Sequence, residues 1–374
     1  MIESSKDKKR VVVAMSGGVD SSVAAALLVR QGYEVIGVTM NLWRAETPVS
    51  GTHCCSLETA EDAYRVARIL GFEHYHLDFR KEFEEYVVRR FVSEYADGRT
   101  PNPCIRCNQY LKFDFFRERA KAVFRADMVA TGHYARISRN EQTGRWLLLR
   151  GVDSSRDQAY ALYALSQDQL AGTLFPLGGM SKVEVRNLAL ELKLPVADKP
   201  DSQEICFVPD NDYRGFIRDY APEVYKSGDI VDAKGNVVGK HDGIAFYTIG
   251  QRKGIGAHGP VPSYVIRINP ERNEIVIGAE ADLYARTAIA EDVNLINRER
   301  IESEIRVEAQ IRYNTNASRG IARMEGEHLR VDFDVPQRAI TPGQALVAYE
   351  GETVLGGGTI MRSELGVPTI LEAM

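Results

Sequence analysis

From residue 10 the chain alternates short unbroken apolar runs with segments of helical periodicity. RVVVAM precedes a helix over 21–30, YEVIGVTM one over 58–70, and EHYHLDF one over 81–95; a helix over 108–124 then leads into DMVAT. Runs with no polar face belong to strands covered on both sides, and a helix between such strands makes a parallel crossover. The pattern predicts a doubly wound α/β domain on a parallel sheet. Gly32 and Gly71 fall where helices end, and Ser181-x-x-Glu184 is a capping box that opens another helix.

After about residue 210 the texture changes. Gly-punctuated alternating runs follow, in DAKGNVVGK, SYVIRINPERNEIVIGAE, IRVEAQIRYN, HLRVDFDV and QALVAYEGETVLGGGTI. Repeated short strands joined by turn residues predict hairpins closed into small β-barrels. The expected organisation is a catalytic domain over 1–210, a small β-rich domain over 211–280 and a β-barrel domain over 281–374. A length of 374 residues suits two or three cores, and 44% hydrophobic with 26% charged residues suits a globular protein.

No stretch is apolar enough to span a membrane, and the start MIESSKDKKR does not resemble a secretory signal, so a cytoplasmic protein is expected. Five cysteines, Cys54, Cys55, Cys104, Cys107 and Cys206, are too few and too unevenly placed for a disulfide framework. They pose the question of reactive or metal-binding thiols, although no role follows for Cys54 and Cys55. The net charge of −5 excludes a globally basic nucleic-acid binder. One segment, 89–125, runs against it, with nine basic residues to four acidic, and is the candidate for a local nucleic-acid surface.

Directly after the first strand comes Ser16-Gly17-Gly18-Val19-Asp20-Ser21-Ser22, opening a helix. Glycines let the backbone approach a phosphate, and a helix N-terminus offers unpaired N–H groups. The loop has neither the lysine of GxxxxGK[ST] nor the spacing of GxGxxG. It resembles the PP-loop of ATP pyrophosphatases. That resemblance implies cleavage of ATP between the α and β phosphates and adenylation of a substrate oxygen, which turns a poor leaving group into a good one.

The second string is Gly98-Arg99-Thr100-Pro101-Asn102-Pro103-Cys104-Ile105-Arg106-Cys107-Asn108, lying between two helices. Its prolines stiffen the loop, and Cys107 is expected just before a helix start, where the dipole favours a thiolate. A buried structural loop or half of a zinc site would also fit a lone CxxC. The third string, Asp201-Ser202-Gln203-Glu204-Ile205-Cys206-Phe207, puts a single cysteine in a polar approach to an apolar strand. Taken alone, that cysteine reads as a core residue.

Together with Gly132-His133-Tyr134-Ala135, Asp157-Gln158-Ala159-Tyr160, Thr248-Ile249-Gly250-Gln251-Arg252-Lys253-Gly254 and Arg312-Tyr313, these strings resemble the tRNA-specific 2-thiouridylase family over nearly the whole chain. The resemblance implies thiolation of the wobble uridine in tRNAs for Lys, Glu and Gln, with ATP and Mg²⁺. It assigns ATP contacts to Ala14, Met15, Ser16, Gly17, Gly18, Val19, Asp20, Ser21, Met40 and Gly132. Cys107 becomes the nucleophile and Cys206 the persulfide carrier, two thiols able to form a disulfide. Asn102, Pro103 and Cys104 would surround the target base, while His133, Arg156, Asp157, Gln158, Arg312, Tyr313 and Gln344 would touch tRNA. The implied partners are the tRNA anticodon loop and a persulfide or sulfide donor such as a cysteine desulfurase or sulfur-relay protein, with the enzyme a monomer.

Some members of that family carry aspartate at the position of Cys104. The third cysteine here admits an alternative, in which Cys104, Cys107 and Cys206 ligate three irons of a [4Fe-4S] cluster that hands sulfide to the adenylated base. Two further readings are a PP-loop ligase acting on a small metabolite, for which the β-rich half would be idle, and a non-catalytic tRNA-binding protein with structural metal, which leaves SGGVDSS without a role.

Overall fold

The computed structural model describes residues 8–43, 57–200, 205–208, 212–255 and 262–364. Cys54, Cys55 and positions 201–204 of the third string lie outside these. The chain divides into two compact units, the first made of Met1–Val88, Pro103–Asn211 and Glu352–Val354, the second of Arg89–Asn102, Asp212–Gly351 and Leu355–Met374.

The first unit is built on the expected parallel sheet. Its strands are β1 (Arg10–Ala14), β2 (Glu34–Asn41), β3 (Glu73–Asp78), β4 (Met128–Ala130) and, after an antiparallel hairpin β5 (Ala135–Arg139) and β6 (Trp146–Arg150), the short β7 (Thr173–Leu174). The order β3-β2-β1-β4-β7 has every neighbour parallel. Val11, Val12 and Val13 of β1 are fully buried, which explains the run without a polar face. The helix α1 (Val19–Arg30) packs on this sheet through Val23, Ala24, Ala25 and Leu28, where the small alanines permit close approach. It ends at Gly32 (φ +86°), and α2 (Leu57–Leu70) ends at Gly71 (φ +78°). β3 departs from the expected double cover: as the edge strand it leaves Glu73, Tyr75, His76 and Asp78 exposed.

The order of the sheet reverses between β1 and β4, so a crevice opens beyond their carboxyl ends, the place where open α/β sheets take ligands. Into it comes a helix that starts earlier than the sequence suggested. It runs as an α-turn Pro103–Arg106, a π-helical stretch Cys107–Phe115 and an α-helix Phe116–Phe124, ending on Arg125 in the left-handed region (φ +54°). Pro103 opens it because proline has no N–H to lose there and its φ is already helical. Cys107 therefore lies one turn inside the helix and not before its start, and Cys104 is the thiol in the first turn. Ser181 caps the helix Lys182–Glu191 with the full capping box to Glu184.

The second unit holds the hairpins read from the sequence. β8 (Gly228–Asp232), β9 (Val237–His241), β10 (Tyr264–Asn269) and β11 (Glu274–Gly278) form a four-stranded sheet in the order β10-β11-β8-β9. β12 (Tyr284–Leu295), β13 (Ile305–Gln310), β14 (Ser318–Glu325), β15 (His328–Arg338), β16 (Ala345–Glu350) and β17 (Thr353–Glu364) form a six-stranded barrel, closed by pairing of β12 with β17. Its interior is filled by Ala288, Ala290, Val307, Leu329, Val331, Leu346 and Ile360.

The basic segment 89–125 does not form one unopposed surface. Its first part belongs to the second unit, where Arg90 pairs with Glu94 and Asp292, and Arg99 with Glu94 and Glu291. In the first unit Arg117 pairs with Asp168, and Arg119 with Glu82 at 2.7 Å. Four of the nine basic residues are thus matched by carboxylates distant along the chain.

Candidate active site

The phosphate loop is shaped by contacts that leave room for glycine alone. Gly17 sits at φ +69°, and a Cβ there would stand 2.0 Å from the Thr59 carbonyl oxygen. Gly132, just past β4, abuts the start of α1, where a Cβ would come within 2.7 Å of the Asp20 carbonyl carbon and the Ser21 nitrogen. Inside the loop Ser21 Oγ accepts from Ser16 N at 3.2 Å and Ser22 Oγ donates to Gly18 O at 2.8 Å. Gly18 is the N-cap of α1 and brings no side-chain hydrogen bond, so no side chain stands in for an anion there.

A cavity of about 320 Å³ lies in this unit, beyond the carboxyl ends of β1, β2 and β4. It is lined from β1 and its loop by Ala14, Met15, Ser16, Asp20 and Ser21, from β2 by Met40, and beyond β4 by Gly132 and His133. The helix from Pro103 adds Pro103, Cys104, Cys107 and Lys112, and the short 205–208 segment adds Cys206. Cys104 is exposed, Cys107 buried and Cys206 half-buried, and all three are thiols. Cys206 stands in a turn, with Val208 N donating to Ile205 O at 3.0 Å, and not at the head of the strand that the sequence suggested. Phe207 anchors that turn edge-on against Phe83, ring centroids 5.5 Å apart.

Two lysines bracket the loop that sequence reasoning passed over. Lys182 is buried and sets its ammonium on both oxygens of Asp20, at 2.7 and 2.8 Å, while the Tyr134 hydroxyl donates to the same carboxylate at 2.7 Å. Lys199 donates to Gly17 O at 3.2 Å and to Asp62 at 2.8 Å. A signal for Lys182 existed: a cation in the first turn of a capped helix opposes the helix dipole and needs another reason to be there.

His74 on β3 braces the loop from the sheet. Thr39 Oγ1 donates to Met15 O at 2.9 Å, so its lone pair accepts from His74 Nε2 at 3.0 Å and the proton of the neutral ring sits on Nε2. Nδ1 is buried with no partner among the described residues. Burial, with His76 nearby, lowers the His74 pKa to about 4. The unfolded chain takes up this proton near pH 6.5 and the folded one resists it, so stability is full above 6.5 and is lost as pH falls from there toward 4. His74→Gln is expected to remove about one proton from the dependence of unfolding free energy on pH in that window, measured by urea titration at several pH values; an unchanged slope would refute the assignment.

His133 accepts or donates at 2.7 Å to Thr131 and packs between Phe113 and Phe175. Burial and the charge of Lys112 hold its imidazole well below the ordinary histidine range, so it is neutral. Gln158 lines the same cavity and its Oε1 accepts from Tyr134 N at 2.9 Å. Asp157 is drawn inward, accepting from Gly151 N and Ala159 N at 3.0 Å each and ion-paired with Arg150, and so organises the turn that also contains Arg156.

The remaining predicted residues fall in the second unit. Gln344 Nε2 donates to Thr100 O at 2.7 Å, two residues before the half-buried Asn102. Arg312 donates to Ile249 O at 3.3 Å and Ala339 O at 3.1 Å. Gln310 Nε2 holds the carbonyls of Arg312 and Tyr313 at 2.9 and 2.8 Å, leaving the Tyr313 ring exposed.

Residues 9–210 match the family described as tRNA methyl transferase HUP domain, 214–279 its PRC-barrel domain and 285–360 an aminomethyltransferase β-barrel domain. The chain is 50% identical to the tRNA-specific 2-thiouridylase MnmA of Heliobacterium modesticaldum, over 97% of this chain and 95% of that one. It is also 50% identical to the protein of the same name from Clostridioides difficile, over 95% of this chain and 99% of that one. The chain belongs to the tRNA-specific 2-thiouridylase family. Among solved structures, a 4-thiouridine synthetase in complex with RNA and bound ATP matches 57% of this chain and 51% of its own, at 17% identity and TM-score 0.34.

As a 2-thiouridylase the chain is an enzyme that thiolates tRNA. The domain description speaks of methyl transfer, whereas the full-length relatives are named for thiolation, and three thiols lining one cavity with a phosphate loop suit the second chemistry. Among the described residues no group of three or more His, Cys, Asp or Glu side chains is placed to hold a metal ion. No helix of the described residues is long and apolar enough to cross a membrane.

Proposed function

We propose that the chain converts the wobble uridine of tRNAs for Lys, Glu and Gln to its 2-thio form, spending one ATP per base and taking sulfur from a persulfide on Cys206. The observation that carries this reading is that Cys107 and Cys206 line the same cavity as Ser16, Asp20, Ser21 and Gly132. In the first step the uridine O2 attacks the α-phosphorus of ATP, whose pyrophosphate departs into the loop. The terminal persulfide sulfur of Cys206 then attacks C2, the C2–O bond breaks and AMP leaves, so the base is joined to Cys206 through a disulfide. Cys107 thiolate attacks Cys206 Sγ, forming a Cys107–Cys206 disulfide and leaving the transferred sulfur on C2 as a thiocarbonyl. An external dithiol reduces the enzyme, and a cysteine desulfurase or sulfur-relay protein recharges Cys206.

Mg²⁺ would shield the phosphates of ATP, and Asp20 is the carboxylate of the loop available to it once shared with Lys182. The anticodon loop offers a base that is already unpaired, so its extrusion into the cavity costs little. We place the reaction in the cytoplasm and the enzyme there as a monomer. The reading is tested by mass analysis of tRNA nucleosides from cells lacking the gene: 2-thiouridine derivatives should disappear, and their persistence would overturn it. Tyr313, exposed on a clamped backbone, offers a stacking face for tRNA. Tyr313→Ala is expected to weaken tRNA binding by about 1–2 kcal/mol without changing ATP affinity, read by filter binding and calorimetry.

A further inference from the structure

The charged groups that line the cavity are unequally compensated. Asp20 is neutralised by Lys182, and His133 is neutral. Lys112 is the exception: among the described residues no carboxylate pairs with it, and its ammonium donates only to the amide oxygen of Asn108, at 2.9 Å. Asn108 is itself buried and fixed, its Nδ2 donating to Ala161 O at 2.9 Å, so the lysine is steered by a neutral and immobile partner.

The local winding decides where that charge points. In an α-helix residues five apart lie about 140° round the axis from each other, whereas π-helical i→i+5 bonding stacks them one turn apart. Cys107 and Lys112 are five apart within the π-helical stretch, and both line the cavity. A half-buried cation that no described carboxylate pairs with, in a cavity the phosphate loop also lines, is costly unless an anion arrives.

This inference rests on the ATP-activation reading and deepens it. We propose that Lys112 is a catalytic residue whose ammonium binds the α-phosphate of the nucleotide, first in ATP and then in the adenylated base. The loop takes the departing pyrophosphate, whereas the α-phosphate keeps its negative charge through binding, activation and release. Sulfur transfer also brings an anionic persulfide toward that phosphate, and two anions approaching in a closed cavity repel each other. Lys112 offsets the repulsion as a point charge at the place where both must meet.

The test is calorimetric binding of AMP and of adenosine to the full chain and to Lys112→Met, Lys112→Gln and Lys112→Arg. Lys112→Met should weaken AMP about tenfold and leave adenosine unchanged, because only AMP carries the phosphate. Lys112→Arg should recover most of the AMP affinity, and Lys112→Gln, which can still donate to Asn108, should behave as Lys112→Met and so guards against a folding artefact. An AMP-to-adenosine affinity ratio that does not respond to these changes overturns the assignment, as does an equal loss for both ligands. If the parent chain binds neither ATP nor AMP, the activation reading itself falls and takes the assignment with it.

Discussion

Cys206→Ser enzyme is expected to lose tRNA thiolation by on the order of 10³-fold or more while still releasing pyrophosphate from ATP in a single turnover with tRNA. In the proposed reaction activation uses the phosphate loop and sulfur transfer a thiol that lines the same cavity from a different segment, so the two steps should separate. Cys107→Ser should be equally defective but for a different reason. Without the releasing thiol the base stays attached to Cys206, and a tRNA–protein adduct that a reducing agent dissolves should accumulate on a non-reducing gel. Cys104→Ser should cost less than about tenfold, since Cys104 is exposed and the relay does not use it. If all three serine variants are equally inactive, the two-thiol relay is wrong and a reaction that needs three thiols takes its place.

The second large effect concerns Lys182. Its side chain is 10% exposed and that of its partner Asp20 32%, so Lys182→Ala leaves a carboxylate partly buried with only the Tyr134 hydroxyl for company. Allowing for the exposure of Asp20, the loss of stability should be about 2 kcal/mol, and AMP formation should fall on the order of 10²-fold. Asp20→Ala in the same background removes the stranded charge, so the double variant should be more stable than the sum of the single losses by about 1 kcal/mol. Urea unfolding of the four proteins and AMP production in the presence of tRNA check both halves. Additive losses of stability would show that the pair is not coupled, and normal AMP formation by Lys182→Ala would remove it from the site.

Much of the first unit was legible because its signals are local. Uninterrupted valines in β1, the glycines that end α1 and α2, and the Ser181 capping box each act within a few residues, and each forms as the sequence predicts. The phosphate loop was legible for the same reason: Gly17 and Gly18 give way to a helix whose first turn carries no side-chain cap. The hairpins of the second unit followed from alternation and turn residues. What the sequence alone determined is thus the type of most elements, the glycine loop that opens α1 and the family resemblance of the strings that surround it.

The tertiary structure decided the rest, because it depends on groups far apart in the chain. Pro103 starts the helix four residues earlier than Cys107, so the thiol expected at a helix N-terminus lies inside, and a π-helical stretch turns it and Lys112 to one side. Periodicity reads 3.6-residue turns and does not foresee that winding. Four of the nine basic residues over 89–125 are matched across the fold by Glu82, Asp168, Glu291 and Asp292. Lys182 meets Asp20 across 162 positions. Such pairings are fixed by which strands adjoin and where the sheet order reverses, and an individual charge carries no mark of the partner that burial will give it.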